Sequence, residues 1–169
     1  MSQNNALEYK NSGNRNLNKS NFDQAAADFT QTINLNPNDA EAYFCRGVAY
    51  HGMGVIGKDP SAIDRAIGDF EQALKLNSDF AEAYAARGGV YLSKSEYDRA
   101  LEDFNRAIQL DSNNCNAYAG RGNIYILKKQ YDRGIKDLET ALRINPNFLE
   151  VRKSIEIARM LQKMQIEHL

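Results

Sequence analysis

Apolar positions recur along this chain with the period of an α-helix. From 97 to 108, Tyr97, Ala100, Leu101, Phe104, Ala107 and Ile108 are spaced i, i+3, i+4, i+7, which is one buried helical face. Related stretches occupy 21–37, 62–77 and 130–145. Each is preceded by a segment of different texture, rich in small residues: ALEYKNSGNRN at 6–16, AEAYFCRGVAY at 40–50, AEAYAARGGVY at 81–91 and CNAYAGRGNIY at 115–125. Only three prolines and eleven glycines interrupt the chain, so long helices are permitted. The pattern predicts four pairs of helices, in which small residues such as Gly88 and Ala100 let two helices approach closely and aromatic rings fill the space between layers.

The pairs recur at a fixed distance. Ala6 and Ala40 lie 34 positions apart, as do Ala81 and Cys115, whereas Ala40 and Ala81 are separated by 41. That arithmetic predicts repeats at 6–39, 40–80, 81–114 and 115–148, with a seven-residue insertion near 54–60 of the second. Start signals fit this division. Asp79 and Glu82, and Asn147 and Glu150, have capping-box spacing, and Asp59-Pro60 reads as an N-cap followed by proline at the first helical position. Residues 149–168 predict a ninth helix with no partner, suited to capping the array through Val151, Ile155 and Ala158. Ile157, Met160, Leu161 and Met164 widen its apolar sector beyond one contact. A slightly apolar cap explains this, and a homodimer through the helix or a Met-rich partner site is the sharper alternative.

Position by position, the chain resembles a tetratricopeptide repeat (TPR) protein over 6–148. The aromatic fourth position is Tyr9, Tyr43, Tyr84 and Tyr118, and the small eighth is Gly13, Gly47, Gly88 and Gly122. The large twenty-fourth position is Phe29, Phe70, Phe104 and Leu138; the twenty-seventh is Ala73, Ala107 and Ala141, with Thr32 departing. The resemblance implies an all-α solenoid, a right-handed superhelix of helix–turn–helix units, and a protein-interaction scaffold or adaptor without catalytic activity. In such proteins the first helices of successive repeats line a concave groove for a peptide or partner segment. The groove residues it implies here include Asn14, Phe44, Cys45, His51, Leu92, Asn123 and Ile126, with Phe44 as an exposed aromatic anchor. A subclass of the family clamps acidic chaperone C-termini. Lys10, Gly13 and Asn14 match its first-repeat signature, but Cys45, Glu82 and Ala86 stand where it needs an asparagine, a lysine and an arginine, so the clamp is not expected.

Two further regularities run through the repeats. Arg46, Arg87 and Arg121 share the seventh position, and Asp28, Asp69, Asp103 and Asp137 the twenty-third, which predicts an ion-pair ladder between the two helices of a repeat. Glu41, Glu82 and Glu150 recur at one position; the helix dipole accounts for acids there, and an acidic lip favouring a positively charged ligand is the functional alternative.

Charge and chemistry narrow the function by exclusion. A net charge of −1 and a pI near 6.1 do not suit a nucleic-acid binder or a polybasic membrane anchor. No apolar run approaches the ~20 residues of a membrane span, and MSQNNALEYK lacks the basic and apolar regions of a signal peptide, so a cytoplasmic protein is expected. Cys45 and Cys115 fall two repeats apart and read as free thiols. His51 and Cys45, six apart, do not share a helical face, and His168 sits at the chain end, so neither a thiol nucleophile nor a metal site is expected and no cofactor is implied. The stretch from Gly52 to Lys58 nearly spells a phosphate-binding loop, but Asp59 replaces the magnesium-binding hydroxyl and no apolar strand precedes it. A nucleotide-dependent regulator or enzyme-associated subunit is therefore the rival reading, and a surface insertion or partner contact the simpler one.

Overall fold

The computed structural model describes residues 2–57 and 59–167, with side-chain surroundings for 4–57 and 59–165; Lys58 and His168 lie outside the described residues. Among these residues the chain forms α-helices only. They are α1 (Ser2–Asn18), α2 (Phe22–Leu35), α3 (Ala40–Gly57), α4 (Pro60–Leu76), α5 (Ala81–Ser93), α6 (Tyr97–Leu110), α7 (Cys115–Leu127), α8 (Tyr131–Ile144) and α9 (Leu149–Glu167). Consecutive helices pack as antiparallel hairpins, and hairpins stack into an all-α, right-handed TPR-type solenoid.

The core repeats with the sequence. Phe29, Phe70, Phe104 and Leu138 are each almost fully buried in the second helix of a hairpin. Each lies under a glycine of the first helix: a Cβ built on Gly13, Gly47 or Gly88 would come within 2.9 Å of the Phe29, Phe70 or Phe104 ring, and one on Gly122 within 3.0 Å of Leu138. The two helices can therefore meet only because the eighth position carries no side chain. Three hairpins turn alike. Glu96 N–H reaches Tyr91 C=O and Ser95 N–H reaches Leu92 C=O, with equivalents at Ser20–Asn21 and Lys129–Gln130. These are Schellman closures in which Ser20, Ser95 and Lys129 take positive φ, a conformation that glycine usually fills.

The second hairpin has no such turn. Its helices α3 and α4 are 18 and 17 residues long, against 13 and 14 in the third and fourth hairpins. The additional residues continue both helices rather than forming a loop. Gly52 lies against the Phe22 ring and Gly54 against Ile63, each too close to admit a Cβ. Asp59 caps α4 by accepting from Ser61 N–H, with Pro60 at the first helical position. The other two capping boxes are corrected by one residue: Phe80 precedes α5, and Asp79 and Asn147 instead donate their N–H groups to the Asn77 and Asn145 side chains. At the position of Phe80, Asp39 and Asn114 do cap, accepting from Ala42 and Ala117 N–H.

Helix α9 repeats the register of α7. Lys94 binds Asp64 and Lys128 binds Asp98, both at 2.8 Å, and Gln162 makes the equivalent contact to Asp132 at 2.6 Å. It thus takes the place of the first helix of a fifth unit, burying Val151, Ile155 and Ala158. On the face where a second helix would dock it carries Arg152, Glu156 and Arg159 in place of Tyr118, Gly122 and Tyr125, charged groups where the repeats have aromatic and small ones.

Candidate interaction groove

Each odd-numbered helix touches the next odd-numbered helix, whereas among the described residues no even-numbered helix touches another. The odd helices are therefore closer together, the array curves towards them, and they line its concave side.

The arginine ladder ties the two helices of a hairpin together, with its guanidinium groups turned to aspartates of the even-numbered helices. Arg46 donates Nε–H and a terminal N–H to Asp69 at 2.8 Å each, and Arg87 does the same to Asp103. Arg121 reaches Asp137 at 2.7 and 2.9 Å. Each guanidinium also lies 5.5–5.8 Å from tyrosine rings of its own helix, such as Tyr84 and Tyr91 beside Arg87. The carboxylate hydrogen bonds raise the pKa of all three arginines, against the opposing effect of burial. In the first hairpin Asp28 takes Asn16 and Gln24 instead.

The sequence-derived groove residues separate into two groups. Phe44 and Cys45 share a cleft of about 530 Å³ with Ala40, Glu41, Asn77, Phe80 and Glu82. Phe44 is not the exposed anchor expected: it is half-buried, 4.9 Å from the Phe80 ring in the link before α5 and 5.9 Å from Phe70 of its own hairpin. Cys45 is only 8% exposed, and burial pushes its thiol up to about 11, with Glu41 adding to the effect. Asn14, His51, Leu92, Asn123 and Ile126 are half-buried and distributed over α1, α3, α5 and α7. Ile126 packs over Gly134, Leu92 joins the core around Phe104, and burial lowers the pKa of His51. Lys10 is held by Asp39 at 2.9 Å and Glu41 at 2.7 Å, so this ammonium is already engaged.

Two features escaped sequence reasoning. Phe80, in a capping position, floors the cleft beside Phe44; its aromatic character where Asp39 and Asn114 cap was the available signal. A second cleft, about 540 Å³, lies between the hairpin turn before α2 and the extended end of α3, lined by Phe22, Met53, Ile56 and Asp59 among others. Gly52, Gly54 and Gly57 are all helical. Their N–H groups follow the helix rather than opening as a phosphate cradle. Among the described residues no cluster of His, Cys, Asp or Glu could hold a metal ion, and no helix is long and apolar enough to cross a membrane.

Helical hairpins stacked on a 34-residue register define a TPR solenoid. The family models agree: the TPR repeat model matches residues 13–54 and 88–129 and the tetratricopeptide repeat model 115–148, so this chain belongs to the tetratricopeptide repeat family. No curated protein sequence matches it. Similar solved structures include PilF of Pseudomonas aeruginosa, 18% identical, covering 98% of this chain and 72% of that one with a TM-score of 0.82. MamA of Desulfovibrio magneticus RS-1 is 22% identical, covering 97% and 90%, TM-score 0.74. The first TPR of Spaghetti (RPAP3), bound to the HSP90 peptide SRMEEVD, is 24% identical, covering 76% and 96%, TM-score 0.67.

Proposed function

We propose that the protein is an interaction scaffold that holds a peptide or a segment of another protein against the concave face of its odd-numbered helices. The observation carrying this reading is the division of labour within each repeat. The residues that hold the fold (glycine under phenylalanine, arginine on aspartate) recur in register, while the inner face changes from repeat to repeat, as in Asn14, Val48, Gly89 and Asn123. The RPAP3 domain shows a peptide bound by this fold. An acidic C-terminal peptide of that kind is not the ligand favoured here, because Lys10 is engaged and Glu82 would repel a carboxylate.

Binding rather than catalysis is supported by chemistry that is dispersed: the Cys45 thiol is buried and weakly acidic, and His51 lies six residues away on the same helix. The helical course of Gly52–Gly57 disfavours the nucleotide reading. A cytoplasmic location belongs to the same proposal, because two free thiols persist most readily in a reducing compartment.

Capture from host lysate with wild type and with the Asn14→Arg/Asn123→Arg variant tests the groove. Both residues are half-buried at the inner face, and the variant must first match wild type in helicity. A partner retained by wild type and lost by the variant supports the groove; one retained equally by both places the working surface elsewhere.

A further inference from the structure

The repeat register sets which charges pair across a junction between units. At the first junction Lys10, in the fifth position of its repeat, reaches Asp39 at 2.9 Å and Glu41, the second residue of α3, at 2.7 Å. One repeat further on, Glu82 is the second residue of α5, but the fifth position of α3 is Phe44 and the place of Asp39 is taken by Phe80. The two rings lie 4.9 Å apart, and Glu82 makes no ion pair among the described residues. A carboxylate whose counterpart at the first junction is paired thus shares the 530 Å³ cleft with two aromatic rings instead. Phe80 also forgoes a cap: Asp39 and Asn114 cap α3 and α7 from this position, whereas α5 has no side-chain cap. It rests on Leu74 and Ala83 and still lines the cleft. Phe148, aromatic at the same position, packs with Ala119 into the core around Leu138. Only at the α3–α5 junction is the fifth-position neighbour aromatic as well.

The chain itself shows what fills a place of this chemistry. Arg99 lies 4.0 Å over the Tyr91 ring while pairing with Glu96 at 2.7 Å, and Arg65 lies 4.4 Å over Tyr50 while pairing with Asp59 at 3.3 Å. An aromatic face beside a carboxylate holds a guanidinium, because that flat, weakly hydrated cation stacks and donates hydrogen bonds at once. Phe44, Phe80 and Glu82 offer the same partners, and neither arginine nor lysine lines the cleft. Cations around it are engaged: Lys10 by Asp39 and Glu41, and Arg106 by Asp79 and Gln109. Asp39, Glu41 and Glu82 are set against the single ammonium of Lys10, so the local charge favours a further cation.

Resting on the groove reading above, we propose that the cleft between α3 and α5 anchors the bound segment by taking one of its arginine side chains, whose guanidinium pairs with Glu82 and whose stem lies on Phe44 and Phe80. The partner supplies the cation that Lys10 supplies at the first junction. A lysine is the poorer occupant, because its ammonium is a strongly hydrated point charge with no flat face to lay on a ring.

The test titrates the ¹⁵N-labelled protein at physiological salt with the capped pentapeptide Gly-Ser-Arg-Ser-Gly and with versions carrying lysine or neutral citrulline at the centre. Amide shifts are followed up to about 10 mM peptide, the range in which a single side-chain anchor binds. The arginine peptide should shift the amides of Phe44, Phe80 and Glu82 along a saturating curve. The lysine peptide should bind at least about threefold more weakly, and the citrulline peptide should leave these amides unmoved. Glu82→Gln should weaken arginine binding at least about fivefold. Phe80→Asn, which gives α5 the cap that Asn114 gives α7, should lose binding while keeping its helicity. Equal binding of the arginine peptide and either of the other two, or an undiminished affinity in Glu82→Gln or Phe80→Asn, overturns the proposal. Failure of the arginine peptide alongside a lysate partner lost in Asn14→Arg/Asn123→Arg sinks the arginine anchor and leaves the groove reading standing. A lysate partner retained equally by Asn14→Arg/Asn123→Arg and by Glu82→Gln overturns both.

Discussion

Glycine-to-alanine substitution should change sign between two sites of one hairpin. At Gly47 on α3, a Cβ would sit 2.7 Å from Cε1 and 2.9 Å from Cδ1 of Phe70. Carbon atoms rest about 3.5–4.0 Å apart, so the ring would have to retreat by nearly 1 Å. Phe70 is fully buried beside Ala66 and Val90, with Phe44 at 5.9 Å, and has little room to do so. Overpacking of this kind costs about 1–3 kcal/mol, against about 0.5–1 kcal/mol gained by replacing a helical glycine. Gly47→Ala should therefore lose roughly 0.5–2 kcal/mol. At exposed Gly68 on α4 a Cβ meets nothing within 4 Å, so Gly68→Ala should show the helical gain alone, about 0.5–1 kcal/mol. Urea titrations followed by circular dichroism read the difference, and each kcal/mol also moves Tm by about 2–4 °C in a chain this long. Adding Phe70→Leu to Gly47→Ala should make the pair less costly than the sum of its parts. A Gly47→Ala protein as stable as Gly68→Ala would refute the close-contact argument.

Other expectations follow from the same contacts. Arg87→Met strips Asp103 of two charged hydrogen bonds and should cost about 1.5–3 kcal/mol in urea titration, with part recovered when Asp103→Asn is added. Cys45 should react with iodoacetamide at pH 8 about 100-fold more slowly than a free thiol peptide, from ionisation alone. Burial pushes its folded pKa up to about 11, above the ordinary thiol value of 9.0. The stability this thiol contributes is thus whole below pH 9 and lost as pH rises towards 11, so Cys45→Ala should flatten the decline over that window. Deleting residues 54–60 places Ser61 where Ser20 and Ser95 turn the other hairpins; the shortened protein should keep its helicity and a single cooperative unfolding transition, and loss of either would refute this account of the hairpin.

The register of the fold was legible because its packing partners are single residues repeated at fixed intervals: Gly88 under Phe104, Arg87 on Asp103. Each such pair sits within one repeat, so one sequence stretch contains both halves. The groove was less legible, because its surface depends on how one repeat closes over the next. Phe44 read as exposed although Phe70 and Phe80, 26 and 36 positions further along the same repeat, close on it: the pairing holds only once α4 has folded back on α3 and the link to α5 has returned across it. Cys45 is hidden by the preceding repeat, in a cluster with Ala26, Phe29 and Ile33 of α2. The glycines at 52, 54 and 57 suggested a loop, yet Gly52 and Gly54 mark close helix contacts, and only the neighbouring Phe22 and Ile63 reveal it.

Seven residues are about two turns of α-helix, one outward and one returning. Lengthening α3 and α4 by roughly a turn each brings the chain back with its faces in phase, which is why Arg46 still finds Asp69 across the longer hairpin. A change of three or four residues in total would rotate one helix against the other by half a turn and misplace every contact beyond it. Growth in such an array is thus quantised. A spur can be added to the rim of one unit in steps near seven, leaving the inner lining untouched, so new surface can evolve without renegotiating the old.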